Sequence, residues 1–180
     1  MTPTTGTDLR YPIGKYQPAG RDLTLDERRA HILTLSGAPE DLREALRGLS
    51  DSQLDTPYRP GGWTVRQLVH HLADSHMNAF MRVKLALTES SPTIKPYDEK
   101  SWAETAENRL PVEVSQILID ALHRRWVSIL DALKPEDWKR AFVHPEHGRA
   151  MTIEEATALY SWHSRHRVAH IVGLRTREKW

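Results

Sequence analysis

Three histidines fall at positions 163, 166 and 170 in the stretch Tyr160-Ser-Trp-His-Ser-Arg-His-Arg-Val-Ala-His170. On an α-helix, residues four apart stand one above the other with Cβ atoms about 5–6 Å apart, so His166 and His170 aim two imidazoles at one point. A helix offers two ligands to a metal ion in this way, with Zn–N distances of about 2.0–2.1 Å. The His-x-x-x-His pattern is weak by itself, because two surface histidines satisfy it equally. Its place among Leu159, Trp162 and Leu174 predicts burial, where an unpaired polar group is costly. A third ligand must come from elsewhere, and Val69-His70-His71-Leu72-Ala73-Asp74 is the expected donor. His71 is preferred because it shares a helical row with Asp74 and Arg82, while His70 points about 100° away. The expectation is a metal site of His71, His166 and His170 inside a helical bundle.

Three neutral imidazoles would leave a zinc-like dication its full charge and an open position. Such a site lowers the pKa of water towards 7 for hydrolysis or stabilises another anionic nucleophile such as a thiolate. Asp74 is a candidate base or hydrogen-bond acceptor, Arg82 a candidate carboxylate binder and His76 a candidate proton shuttle. These three belong to or adjoin the row His71, Asp74, Ser75, Asn78 and Arg82, which is either a solvated helix face or the lining of an internal cavity. His163 is read as a partner of the ligands or as a core histidine bonded to backbone. His76 and His123 also have structural readings, and His31, His144 and His147 read as surface or loop residues. No His-Glu-x-x-His, Glu-x-x-His, Gly-x-Ser-x-Gly or P-loop occurs, so zincin, carboxylate di-iron, serine-hydrolase and nucleotide-phosphate chemistry lack their usual supports.

The elements that must position these residues are helical. Thr24-Leu-Asp-Glu27 is a capping box opening one kinked helix, or two consecutive ones, over about 25 to 49, with Gly37 and Pro39 as the interruption. After the turn-rich Tyr58-Arg-Pro-Gly-Gly-Trp63, Thr64 caps a helix running to about Thr88. Its span is about 37 Å at 1.5 Å per residue. A long connection to Pro111, with a short helix near Ser101-Trp-Ala-Glu, implies a crossover. Residues 112 to 133 carry the stripe Leu118, Leu122, Trp126, Ile129 and Leu133, and Thr152 with Glu155 caps the last helix. No convincing strand emerges; Ala141 to Gly148 reads as a loop with a possible short extended piece. The fold class is all-α, a four-helix bundle with a long crossover between the second and third long helices. Residues 1–22, carrying Pro3, Pro12 and Pro18, form an extended arm anchored by Tyr11 and Tyr16.

At 180 residues the chain fits one domain, 1–180, large enough for a core without staples. Its 25 basic and 24 acidic residues are mixed, for a net charge of +1, which argues against nucleic-acid or anionic-membrane partners and for a small-molecule substrate. Cysteine is absent, which leaves His, Asp and Glu to hold any metal. No apolar run reaches 18 residues and the N-terminus lacks a basic start with an apolar core, so a cytoplasmic protein is expected.

Beyond these features, Tyr58-Arg-Pro-Gly-Gly-Trp-Thr-Val-Arg-Gln, His70-His-Leu-Ala-Asp-Ser-His-Met-Asn, Pro96-Tyr-Asp-Glu-Lys, Leu122-His-Arg-Arg-Trp and Trp162-His-Ser-Arg-His-Arg-Val-Ala-His-Ile together resemble the YfiT family of the DinB-like superfamily. The similarity runs from Tyr11 to Trp180. It implies a DinB-type four-helix bundle, a homodimer, and one divalent metal per subunit, zinc or nickel, on His71, His166 and His170. It also implies a metal-dependent enzyme, described in the family as a hydrolase; transfer of a low-molecular-weight thiol such as bacillithiol to an electrophile, as in related members, is the leading expectation, ahead of hydrolysis of a small ester or amide by metal-activated water. Without cysteine, that thiol must be a cosubstrate. The chain departs from the family pattern at Arg165 and Arg167, which raise the positive charge beside His166. A non-catalytic, metal-stabilised binding bundle is the alternative, with His163 or Asp74 closing the coordination.

Overall fold

A computed structural model describes residues 8–146 and 148–180; residues 1–7 of the expected arm and His147 lie outside that range. Capping chemistry sets most helix starts. Helix α1 (Leu25–Leu46) opens on Thr24 with Glu27, α2 (Asp51–Leu54) on Ser50 with Gln53, and α3 (Val65–Thr88) on Thr64 with Gln67. In each, the hydroxyl accepts from the third residue's backbone N–H while that residue's side chain accepts from the cap's own N–H, satisfying two donors that a helix start leaves orphaned. The short α4 (Glu99–Trp102) is capped by Asp98, and α5 (Val112–Asp131) follows Pro111. Strands β1 (Ala141–His144) and β2 (Arg149–Thr152) then lead into α6 (Ile153–Glu178), capped by Thr152 with Glu155.

The long helices α1, α3, α5 and α6 form the bundle: α1 and α3 each pack on both α5 and α6. One apolar cluster gathers around Trp126, Phe142, Leu35 and Ile153, and another around Leu42, Leu68, Ile119 and Ile171. The segment between α3 and α5, carrying α4 and a 3-10 turn at Ala106–Arg109, is the expected crossover. No described helix is long and apolar enough to cross a membrane.

One open alternative closes and two expectations change. Pro39 does not split the first helix; it lies buried inside α1. Proline has no N–H to give the carbonyl four residues back, and His123 Nδ1 replaces that donor on the Leu35 oxygen at 2.6 Å. A bond from another helix thus mends the ladder. Second, residues 141–152 are a hairpin, with Ala141 opposite Thr152 and His144 opposite Arg149. Pro92 and Ile94 of the crossover hydrogen-bond to Val143 and tie the hairpin to the bundle. Its strands have four residues each, too short for alternation to announce them. Third, the buried face of α5 is Ile119, Leu122, His123, Trp126 and Leu130, while Leu118 is 42% exposed. The arm does lie on α6, with Tyr16 5.7 Å from the Trp162 ring and Tyr11 6.3 Å from His166.

Candidate metal centre

Both members of the α6 pair are buried. Their Nε2 atoms face each other at 3.1 Å, with ring centroids 4.5 Å apart and planes at 75°. Trp162 stacks on His166 at 4.3 Å, and Tyr58 covers His170 at the same distance. His166 Nδ1 is buried without a hydrogen-bond partner among the described residues, an uncommon state for a core polar atom. Burial, followed by the Arg167 charge, pushes the His166 pKa down to about 4. Burial, then His166 and Arg167, pushes His170 to about 3. Both are neutral at pH 7, the form that ligates metals. Two nitrogens on one tetrahedral zinc, each about 2.0–2.1 Å from it, sit about 3.3 Å apart, so this pair fits a shared ion without rearrangement.

His71 stands differently. It is buried against Trp63, with ring centroids 4.5 Å apart, and its Nε2 accepts from Arg167 Nη2 at 3.1 Å. A guanidinium only donates, so the His71 lone pair is on Nε2. Burial and then the Arg167 charge hold its pKa near 3. Among the described residues no three His, Cys, Asp or Glu side chains are gathered around one point. The structure brings His166 and His170 together and leaves His71 on Arg167. Its neighbour His70 has both nitrogens committed, Nε2 donating to the Leu110 carbonyl at 3.1 Å and Nδ1 2.7 Å from the Ser115 hydroxyl.

One tight turn touches both halves of this constellation. Tyr58 N–H donates to the Trp63 carbonyl at 3.0 Å, which closes Tyr58-Arg-Pro-Gly-Gly-Trp63. Gly61 sits at φ +66°, and a Cβ on Gly62 would come within 2.8 Å of Arg59 Cγ and 3.2 Å of the Arg59 carbonyl. Two glycines therefore let the turn close, and its ends set Tyr58 on His170 and Trp63 on His71.

The remaining core histidines form a chain with one direction. The Leu35 carbonyl can only accept, so His123 is protonated at Nδ1 and its Nε2 accepts from His76 Nδ1 at 2.8 Å. His76 Nε2 then accepts from His163 Nδ1 at 3.1 Å, and His163 Nε2 from Arg167 Nε at 2.9 Å. Every ring is neutral and both of its nitrogens are used. Burial is the first cause holding His76 and His163 well below the usual histidine pKa.

Comparison with known proteins identifies the family. Residues 34–171 match the family model described as the DinB superfamily. The chain belongs to the DinB superfamily. Relatives from Bacillus mycoides (strain KBAB4) and Bacillus cereus (strain B4264), each named "Putative metal-dependent hydrolase", are 50% identical over 173 residues, covering 96% of this chain and 99% of theirs. A solved structure, described as YfiT from Bacillus subtilis, a probable metal-dependent hydrolase with an unusual four-helix bundle topology, superposes with a TM-score of 0.94 at 46% identity. That match covers 97% of this chain and 99% of the solved one.

Within this DinB bundle the other candidates are scattered. His76 is fully buried between His123 and His163. Asp74 is partly buried, and burial, helped by Glu107, raises its pKa to about 6; its carboxyl makes no hydrogen bond or ion pair among the described residues. Arg82 and Ser75 line a cavity with Tyr160, His163 and Arg167, so part of the polar row on α3 faces inward. His31 and His144 are not surface residues. His31 is half-buried on α1 with Nδ1 3.1 Å from the Ser161 hydroxyl, and His144 is buried on β1. Sequence reasoning gave Tyr11 a place in the arm, Tyr58 and Trp63 a place in a turn and Arg167 an added charge, but not their contacts with His166, His170 and His71. The paired glycines mark the turn that places Tyr58 and Trp63, and the aromatic pair in the arm marks Tyr11 as an anchor without saying that it meets His166.

Proposed function

We propose that His71, His166 and His170 hold one divalent ion per subunit, zinc or nickel, and that the chain is a metal-dependent hydrolase of a small substrate. The observation that carries this reading is the His166–His170 pair: neutral, buried, convergent at 3.1 Å, with an unsatisfied nitrogen behind it. His71 supports it as the third ligand because its Nε2 holds a lone pair while His70 has none to offer. When bound, the ion supplies Lewis acidity, favouring the anionic form of a nucleophile and polarising the bond under attack. Trp162 and Tyr58 hold the two α6 rings in place and keep water from them. Asp74, with its pKa near 6, takes up a proton at neutral pH and releases it readily, and Arg82 orients an anionic group from the cavity.

The resemblance extends the reading to a thiol nucleophile such as bacillithiol, which would be a cosubstrate in a cytoplasm that keeps thiols reduced. A homodimer is included, and the exposed Val114, Ile117 and Leu118 on α5 offer an apolar face for it. The deciding experiment is elemental analysis of the purified protein, followed by assay with labile esters and amides and with a thiol plus a chloro-aromatic electrophile. Stoichiometric metal with turnover in either assay is expected. Metal without turnover in both would leave a metal-stabilised binding bundle, and full metal retention after His166→Ala would remove the ligand assignment.

A further inference from the structure

Arg167 belongs to two places at once. Its Nε and Nη2 donate to His163 and His71, its guanidinium carbon lies 5.7 Å from the Trp63 ring centre, and the same side chain lines a cavity of about 290 Å³ bounded by α3, α6 and the hairpin. Arg82 lines that cavity too, and neither arginine forms an ion pair with a carboxylate among the described residues. Phe142 and Leu159 supply apolar wall, while Ser75 and Tyr160 supply hydroxyls. The acidic members, Glu99 and Glu146, are exposed at the rim, where water and salt screen them. A desolvated cation acts in a lower effective dielectric and is screened far less, so the interior field is positive.

This composition suits an organic acid: a carboxylate against the guanidinium groups and an apolar body against Phe142 and Leu159. Arg167 adds a coupling. Its Nη2 donates to the lone pair that a metal at His71 would need, so the ion and the guanidinium compete for one nitrogen. Metal binding frees an N–H donor in a largely buried place, and an anion in the cavity gives that donor an acceptor. We propose that this cavity is a carboxylate-binding pocket whose Arg167 is shared with the third metal ligand, so that an organic acid and the metal each strengthen the other's binding. Linkage requires the two enhancements to be equal. The inference rests on the metal-centre reading and gives the substrate of that centre a chemical class.

The test uses the full chain with zinc, benzoate and its uncharged analogue benzamide, read by calorimetry and by competition with a chromophoric zinc chelator. Metal-free protein should bind benzoate about tenfold more tightly than benzamide, a typical return for one charge-assisted hydrogen bond; equal affinities would overturn the pocket. Saturating benzoate should raise zinc affinity about fivefold or more. In Arg167→Gln zinc should bind more tightly than in wild type without benzoate, and benzoate should no longer matter. A benzoate effect that persists in Arg167→Gln would mean the acid acts on the ion alone, and the coupling would fall. Arg82→Gln, which leaves His71 and Arg167 in place, should lose preference for benzoate while keeping wild-type zinc affinity, and thermal melts of both variants check the fold. Arg167→Lys retains a cation if the glutamine variant does not fold; it should keep the benzoate preference, and its loss there would count against the pocket. Wild-type protein that takes up no zinc would overturn the metal centre and the coupling together, whereas benzoate against benzamide in metal-free protein still decides the pocket.

Discussion

His76 and His123 stack at 4.9 Å with their planes 11° apart, and all four of their nitrogens are used. His166 and His170 are also buried and neutral, yet their Nε2 atoms face each other and the His166 Nδ1 has no hydrogen-bond partner among the described residues. Both pairs come from long helices of one bundle and both have low pKa values caused first by burial. They differ in completeness. A closed set of hydrogen bonds rigidifies a core, whereas an open one retains lone pairs for something else. Spacing along a helix cannot separate these cases; only the atoms facing each nitrogen can.

The largest effect is expected at the closed pair. His76→Ala would strand His123 Nε2 and His163 Nδ1 in the core and leave a void. The expected loss of stability is about 3–4 kcal/mol, read from urea unfolding of metal-free protein. His170→Ala also leaves a void but strands only the His166 Nε2 that faces it, so its loss in metal-free protein should be smaller, about 2 kcal/mol; equal losses in the two variants would erase the distinction. On the open side, His170→Ala should weaken zinc binding about 100-fold or more, equivalent to about 2.7 kcal/mol, while His76→Gln, which keeps a donor and an acceptor, should weaken it much less.

Acid should attack the closed chain progressively. His76 and His163 have folded-state pKa values well below 6.5, so the unfolded chain binds more protons below pH 6.5. Their contribution is fully present above that pH and fades as pH falls through the folded-state values, with a slope up to about 1.4 kcal/mol per pH unit for each ring. Unfolding free energies that stay level from pH 7.5 to pH 5 would contradict this. Asp74 runs the other way. Its pKa is raised from 3.8 to about 6, so its contribution is present below about 3.8 and lost as pH rises through 6. Asp74→Asn should therefore stabilise the protein by about 1 kcal/mol at pH 8 and hardly at all at pH 4, the smallest of these effects and one that titration in urea can resolve.

Much of the bundle was legible in the chain because its signals are local. Thr24 and Thr152, each with a glutamate three residues on, and Thr64 as a cap are local statements about a helix start, and the structure has all three. Pro39 left one helix or two both open because the bond that repairs the ladder comes from His123, 84 residues away. The hairpin was missed because four-residue strands hold too little alternation; the α5 stripe holds at Leu122, Trp126, Ile129 and Leu133 and fails at Leu118, because apolar side chains also lie on the exposed flank. At the site, the i, i+4 spacing made the α6 pair readable, and the same α3 row held both His71 and the cavity-lining Arg82. Arg167 was visible only as an added charge. Its hold on His71, 96 residues earlier, depends on how two helices face each other, which periodicity within either does not encode.

Thr152 ends β2 and caps α6, so the hairpin and the helix share a residue and the phase of α6 is counted from the sheet. His166 lies fourteen residues beyond that shared point. An insertion just after Pro145, which is exposed in the turn beyond β1, would lengthen the connection between the strands and leave this count intact. One extra residue anywhere between Thr152 and His166 would turn both imidazoles about 100° around the helix axis and advance them about 1.5 Å along it. That connection is therefore a place where length can drift, and the first four turns of α6 are a place where it cannot.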